Sequence, residues 1–151
     1  MDSTNCKTEI AIVYSSVTGN TKEVAEILYG CMREKGHEAT LMEASDFAEA
    51  ELCCYEAVMV GTYTWGSGEI PKEMQALYEA LESQADKTLV TAVFGTGDSF
   101  FPNYCGAVDR FRDMLYVKTN LAATLKIELM PQEQDRPRCQ KFVEAVLRNI
   151  E

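Results

Sequence analysis

The chain has 151 residues, 46% of them hydrophobic, and a formal net charge of −10 from 24 acidic against 14 basic side chains. That length and composition suit one globular domain over 1–151 with a substantial core, and the acidic surplus argues against nucleic acid, whose phosphates are bound by Lys and Arg. No apolar run approaches the roughly 20 residues that span a bilayer, and Met1-Asp2-Ser3-Thr4-Asn5 lacks the charged-then-apolar pattern of a signal peptide.

A cytoplasmic monomer without membrane contact is therefore expected. The cysteines Cys6, Cys31, Cys53, Cys54, Cys105 and Cys139 are scattered over a chain of ordinary core size, which fits reduced thiols better than bridges. There is no Cys-x-x-Cys and His37 is the only histidine, so no metal site is expected. An acidic surface steers basic protein partners, and it also simply keeps a protein in solution.

The first apolar run, Thr8 to Tyr14, predicts a buried strand. Ser15-Ser16-Val17-Thr18-Gly19-Asn20-Thr21 follows and leads into a helix, Thr21 to Lys35, in which Val24, Ile27, Leu28 and Cys31 recur at helical spacing. A hydroxyl-rich loop entering a helix N-terminus suits a phosphate, because the first free N–H groups and the helix dipole point at the anion. The loop holds no Lys or Arg, and it has neither the P-loop pattern nor the dinucleotide Gly-x-Gly-x-x-Gly spacing. A mononucleotide or similar monophosphate, hydrogen-bonded rather than neutralised, is the matching ligand. The same residues are also ordinary for a strand-to-helix turn with an N-cap.

A second strand is predicted over Glu38 to Glu43, then a weakly patterned connection, Ala44 to Glu56, that reads as loop or short helix. The third strand, Ala57 to Thr62, runs into Thr62-Tyr63-Thr64-Trp65-Gly66-Ser67-Gly68-Glu69, with the only tryptophan beside two glycines. That aromatic is either a surface anchor, a core lid or a platform for a planar ring, and the glycines permit close backbone approach. Pro71 suits a first helical turn, so a helix is expected over Pro71 to Ser83.

The fourth strand, Thr88 to Phe94, is followed by a loop from Gly95 to Gly106 that combines glycines, the aromatics Phe100, Phe101 and Tyr104, and the carboxylate of Asp98, which either caps a turn or faces a ligand. A helix over Ala107 to Tyr116, a strand over Leu125 to Met130 and a helix over Pro137 to Asn149 complete the chain. The last of these docks the apolar stripe of Cys139, Phe142, Val143, Val146 and Leu147. Alternating strands and helices of this kind predict an α/β fold, a doubly wound five-stranded parallel sheet in the order 2-1-3-4-5. The ligand site of such a sheet lies outside the strand C-termini where the winding reverses, at the three unusual loops.

Through Ser16-Val17-Thr18-Gly19-Asn20-Thr21, Thr64-Trp65-Gly66, and Gly97-Asp98-Ser99 followed by Cys105-Gly106-Ala107-Val108-Asp109, the chain resembles the flavodoxins. These are small electron carriers, not enzymes, with non-covalently bound flavin mononucleotide, FMN. The short path from Tyr116 to the last strand matches the short-chain members. The resemblance implies cofactor contacts from Ser15, Ser16, Val17, Thr18, Gly19, Asn20 and Thr21, with Ser16, Thr18, Asn20 and Thr21 on the phosphate. It implies further contacts from Thr62, Tyr63, Thr64, Trp65, Gly66 and Ser67, and from Gly95, Thr96, Gly97, Asp98, Phe101, Tyr104 and Cys105.

In that reading Trp65 stacks on one face of the isoalloxazine and Phe101 replaces the usual outer tyrosine. Asp98 accepts a ring N–H at the pyrimidine edge, and Cys105 offers its backbone amide. Val17 stands where a hydroxyl residue is frequent, and Ser67 where an acid is. The family further implies that the Gly66–Ser67 peptide turns toward the half-reduced ring, and that the protein shuttles single electrons at low potential between semiquinone and hydroquinone. The partners implied are redox proteins with basic docking surfaces. A flavodoxin-like reductase acting on a small substrate such as a quinone, and a receiver-type signalling domain of the same topology, are the alternatives. The first lacks a second nucleotide fingerprint here, and the second lacks clustered acids after the first strand.

Overall fold

The computed structural model describes residues 9–150. Five strands, β1 (Glu9–Tyr14), β2 (Thr40–Glu43), β3 (Tyr55–Thr62), β4 (Val90–Gly97) and β5 (Asn120–Glu128), form one parallel sheet in the order β2-β1-β3-β4-β5. Four helices alternate with them: α1 (Asn20–Glu34), α2 (Gln75–Gln84), α3 (Gly106–Lys118) and α4 (Arg136–Ile150). This is the doubly wound arrangement that the alternating pattern predicts. Thr8, the expected first residue of β1, and Cys6 lie outside the described residues.

The two-residue period of the strands divides the core. Ile10, Ile12 and Tyr14 of β1 join Ala57 and Met59 of β3 and Phe94 of β4 beneath α1 and α4. Ala11 and Val13 join Val58, Val60 and Val93 on the opposite face, beneath α2 and α3. Both faces of β1, β3 and β4 are thereby dry, which is why these strands read as near-continuous apolar runs. Because α1 and α2 cover opposite faces, the chain leaving β1 and the chain leaving β3 turn away from each other and open a crevice at their carboxyl ends.

Several boundaries differ from those expected. The last strand begins at Asn120 rather than Leu125 and ends at Glu128 rather than Met130. Its weakly apolar first half is recruited by pairing with β4, Val90 against Asn120 through Gly97 against Glu128, and Leu129 at φ 56° turns the chain away. Pro71 is extended (ψ 148°) and precedes a 3-10 turn, Lys72–Met74, so α2 starts at Gln75. The connection from Ala44 to Glu56 contains two 3-10 turns, Ala44–Asp46 and Glu49–Cys54. β2 starts two residues later than expected and β3 two residues earlier, while β4 covers Val90–Gly97 and α3 runs on to Lys118.

The strand ends approach too closely for side chains. A Cβ on Gly95 would lie 2.3 Å from the Thr62 carbonyl oxygen and 2.4 Å from Val108 Cγ2, and one on Gly61 would lie 2.3 Å from the Phe94 ring. Gly95→Ala is expected to destabilise the fold by about 3 kcal/mol, since the backbone carbonyl cannot swing aside. A urea transition with a lowered midpoint and an unchanged slope is the expected result.

Candidate functional site

The loop after β1 reaches α1 through Gly19, which sits at φ 96° and donates its N–H to Ser16 Oγ at 3.1 Å. No side chain caps α1, so its leading amides, which have no intrahelical acceptor, are left for a ligand or solvent. They open on a cavity of about 190 Å³ lined by Ser16, Val17, Thr18, Asn20, Thr21, Tyr63, Thr64, Thr96, Gly97, Asp98 and Leu129. Ten of these eleven come from the three loops singled out in the sequence. Trp65 follows Thr64 at the rim, 62% exposed, and Phe101 stands out from the loop after β4 at 61%.

Leu129 was not expected. It follows β5, and its N–H donates to the Gly97 carbonyl at 2.7 Å, bringing the fourth connection into the wall. Adjacency of β5 to β4 in the predicted order was the signal for it.

Several predicted residues, Thr21 and Tyr63 of the lining among them, also bind into the scaffold behind this cavity. Thr21 is buried on the inner face of α1, where its hydroxyl meets Thr96 Oγ1 at 2.7 Å. Thr62 donates its hydroxyl to the Tyr63 carbonyl at 2.7 Å, and Gly95 underlies the β3 end. Ser15 Oγ and the Tyr63 phenol both donate to Glu73 Oε2, at 2.8 and 2.5 Å. Burial, followed by that hydrogen bond and the carboxylate charge, pushes the Tyr63 phenol up to about 12. Tyr104 is half-buried, with Lys126 Nζ 5.7 Å from its ring centroid, and burial raises its phenol strongly.

Asp98 caps a turn at the edge of the cavity. Its Oδ1 accepts the Phe100 N–H at 2.9 Å, closing a turn, and the residue still lines the cavity.

The loops after β3 and β4 are joined to each other. Trp65 and Glu69 exchange two backbone hydrogen bonds, 2.8 and 2.7 Å, that close the loop on itself around Gly66 (φ 56°) and Ser67. Asn103 Nδ2 donates to the Ser67 carbonyl and Arg110 Nε to the Gly68 carbonyl, both at 2.8 Å. Ala107 N–H reaches Thr64 Oγ1 at 3.2 Å. A Cβ on Gly106 would lie 2.6 Å from Gly68 Cα, so the two backbones touch. Asn103, Arg110 and Glu73 are the site-building residues that the sequence reading passes over.

Comparisons with known proteins bear on the family and the fold. The family profile described as Flavodoxin matches residues 12–139. The chain belongs to the flavodoxin family. It is 36% identical over 140 residues to the "Probable flavodoxin 1" of Bacillus subtilis strain 168, covering 90% of this chain and 88% of that one. The solved structure of oxidised flavodoxin 2 from Bacillus cereus superposes with a TM-score of 0.86 at 34% identity, over 94% of this chain and 99% of that one. A short-chain flavodoxin associated with a PDU bacterial microcompartment superposes at 0.88 with 30% identity, over 95% and 100% of the two chains. This flavodoxin, like its family, is an FMN-binding electron-transfer protein of the short-chain type, and its β5 spans Asn120 to Glu128 with no inserted segment, only a one-residue register shift at Ala122.

The donor set fits FMN. Open amides and hydroxyls at α1 match a phosphate monoester, Asp98 adds a carboxylate to the lining, and the exposed rings of Trp65 and Phe101 stand on the two neighbouring loops, outside the lining itself.

Cys105 caps the N-terminus of α3 at φ 52° with its side chain buried, and burial pushes its thiol up to about 11. Cys139 is likewise pushed up to about 11 by burial, and Cys31 is raised by the same cause. A thiol with such a value is roughly one part in a thousand thiolate at pH 8, and the thiolate is the reacting species. Iodoacetamide at pH 8 should therefore label the exposed Cys53 in the native protein, and Cys31, Cys105 and Cys139 only after denaturation. Peptide mass mapping reads the difference.

Proposed function

We propose that this chain is a low-potential one-electron carrier whose FMN works between semiquinone and hydroquinone, in the cytoplasm, as a monomer, donating electrons to proteins with basic docking surfaces. FMN supplies the redox chemistry when bound, while the protein seats it and sets the field around it. The observation that carries this reading is the composition of the cavity: its lining includes the carboxylate of Asp98 and no Lys or Arg, beside the open end of α1.

Ser16, Thr18 and Asn20, with the leading amides of α1, would hold the phosphate by hydrogen bonds, leaving its charge unneutralised. Val17, Gly19, Tyr63, Thr64, Thr96 and Gly97 shape the walls, and Thr21 fixes the floor through Thr96. Ser15, Thr62 and Gly95 hold the strand ends behind it. Trp65 and Phe101 provide flat apolar faces, with Gly66 and Ser67 turning the chain between Trp65 and the loop after β4. The Asp98 oxygen not engaged by Phe100 serves a ring N–H. Tyr104 and Cys105 support the base of the outer wall, with Cys105 bringing its backbone toward the ring.

FMN held here would have its phosphate unneutralised, with Asp98 in the lining and a net charge of −10 on the chain. Like charges so placed would disfavour further negative charge on the ring.

Six of the eight exposed large apolar side chains among the described residues, Val17, Trp65, Phe100, Phe101, Leu129 and Met130, stand at this end of the sheet. The partner surface is therefore taken to be this rim. No helix among the described residues is long and apolar enough to cross a membrane.

Titration of the cofactor-free protein with FMN, followed by absorbance during anaerobic reduction at controlled potential, tests the assignment. The expected result is stoichiometric binding and two separate one-electron steps, the second at strongly negative potential; a single two-electron step would overturn it. Trp65→Ala should weaken FMN binding about tenfold, the loss of an aromatic contact with its buried area, read by flavin fluorescence. Asp98→Asn removes a negative charge from the lining and should raise the second potential, by about 59 mV for each tenfold change in that equilibrium.

A further inference from the structure

The hydroxyls of Ser15 and Tyr63 converge on a single atom. Ser15 continues β1 and Tyr63 continues β3, the two strands between which the winding reverses, and each donates to Oε2 of Glu73. Glu73 lies in the 3-10 turn Lys72–Met74 ahead of α2. The Tyr63 hydrogen bond, and after it that of Ser15, hold the Glu73 carboxyl below the usual range, against the burial that would raise it.

From this geometry we infer that Glu73 is a positioning residue of the flavin site, a bracket whose one oxygen fixes the loop after β1 against the loop after β3. The inference rests on the FMN reading of the cavity. Ser16 and Thr18 follow directly from Ser15, and Thr64 and Trp65 from Tyr63. The phosphate end and the stacking end of the crevice are thus each one or a few residues from the bracket. Two strands of a parallel sheet are held together by their ladder only as far as the ladder runs, and here it ends with Tyr14 opposite Gly61 and the Ser15 N–H on the Gly61 carbonyl at 3.0 Å. Past that point, the Glu73 carboxylate ties the diverging chains through side chains. Because both hydroxyls use the same oxygen, an acceptor at that place suffices and the second carboxylate oxygen is dispensable.

The test compares Glu73→Ala with Glu73→Gln in the full-length protein, with the cofactor removed and restored. Loss of the acceptor in E73A should weaken FMN binding about tenfold. E73Q, whose amide oxygen can accept both hydroxyls, should bind within about threefold of wild type. Amide hydrogen exchange in the cofactor-free protein should quicken in E73A at both Ser16–Gly19 and Thr64–Gly66, and far less in E73Q.

Wild-type affinity in E73A overturns the bracket, as does an E73Q that binds as weakly as E73A, or exchange that changes in one loop alone. Should E73A not fold, the Ser15→Ala/Tyr63→Phe double variant removes the same two hydrogen bonds from the other side and must show the same loss. A wild-type protein that takes up no FMN would refute the reading of the cavity instead, and the exchange comparison would still decide the bracket.

Discussion

Everything at the functional end depends on backbones that touch where β3 and β4 end. Gly61 stands opposite Phe94 and Thr62 opposite Gly95 in the ladder, and the absence of a Cβ at Gly61 and Gly95 leaves space for the Phe94 ring and for Val108 of α3. That contact sets α3 down against the sheet and carries Gly106, its first residue, against Gly68 of the preceding loop. The loops after β3 and β4 are therefore one unit, with Asn103 and Arg110 as its ties. The reversal of winding at β1 then leaves the phosphate-type loop facing that unit across a crevice. Close packing of glycine at strand ends and opposite-face helices bring the three loops to one end of the sheet. Side-chain ties then fix them against one another.

The electrostatic character of the crevice follows from where the nearby cations are spent. Lys126 on β5 is paired with Asp109 at 2.9 Å, and Arg112 binds the same carboxylate at 3.0 Å. Arg138 reaches Asp135 and the Lys126 carbonyl, at 3.0 and 2.7 Å. Arg110 is turned to the Gly68 carbonyl. Half-exposed pairs of this kind contribute little to stability, but they hold positive charge to the scaffold side of the loops. The crevice keeps a hydroxyl and amide lining, a composition that binds an anion without neutralising it.

The topology was legible because β1, β3 and β4 are buried on both faces and each is followed by a helix with an apolar stripe. The two connections that were not legible lacked that support. Asn120-Leu121-Ala122-Ala123-Thr124 has weak strand propensity, and its extended form comes from pairing along β4, a tertiary effect that local pattern does not contain. Pro71 carries a residue type that favours a helical first turn, yet its extended ψ delays α2 and leaves Glu73 in a tighter turn ahead of it. Asn103 and Arg110 were opaque for a related reason: each acts on a backbone carbonyl more than thirty residues away, and nothing in their neighbourhood marks the acceptor.

The hydroxyl-rich loop shows where counting residue types overstates a site. Its donors divide by facing, and the division follows periodicities present in the sequence. Ser15 extends the alternation of Ala11 and Val13, so it points to the face covered by α2, where Glu73 waits. Thr21 stands three, four and seven residues before Val24, Ala25 and Leu28, so it falls on the buried stripe of α1 and meets Thr96. Ser16, Thr18 and Asn20 belong to neither series, and all three line the cavity. A loop between a strand and a helix inherits the inward direction of each at its two ends. At those ends the hydroxyls are bound into the scaffold even where, as at Thr21, the residue borders the cavity, and the same partition separates Thr62, turned to its own backbone, from Thr64 at the crevice.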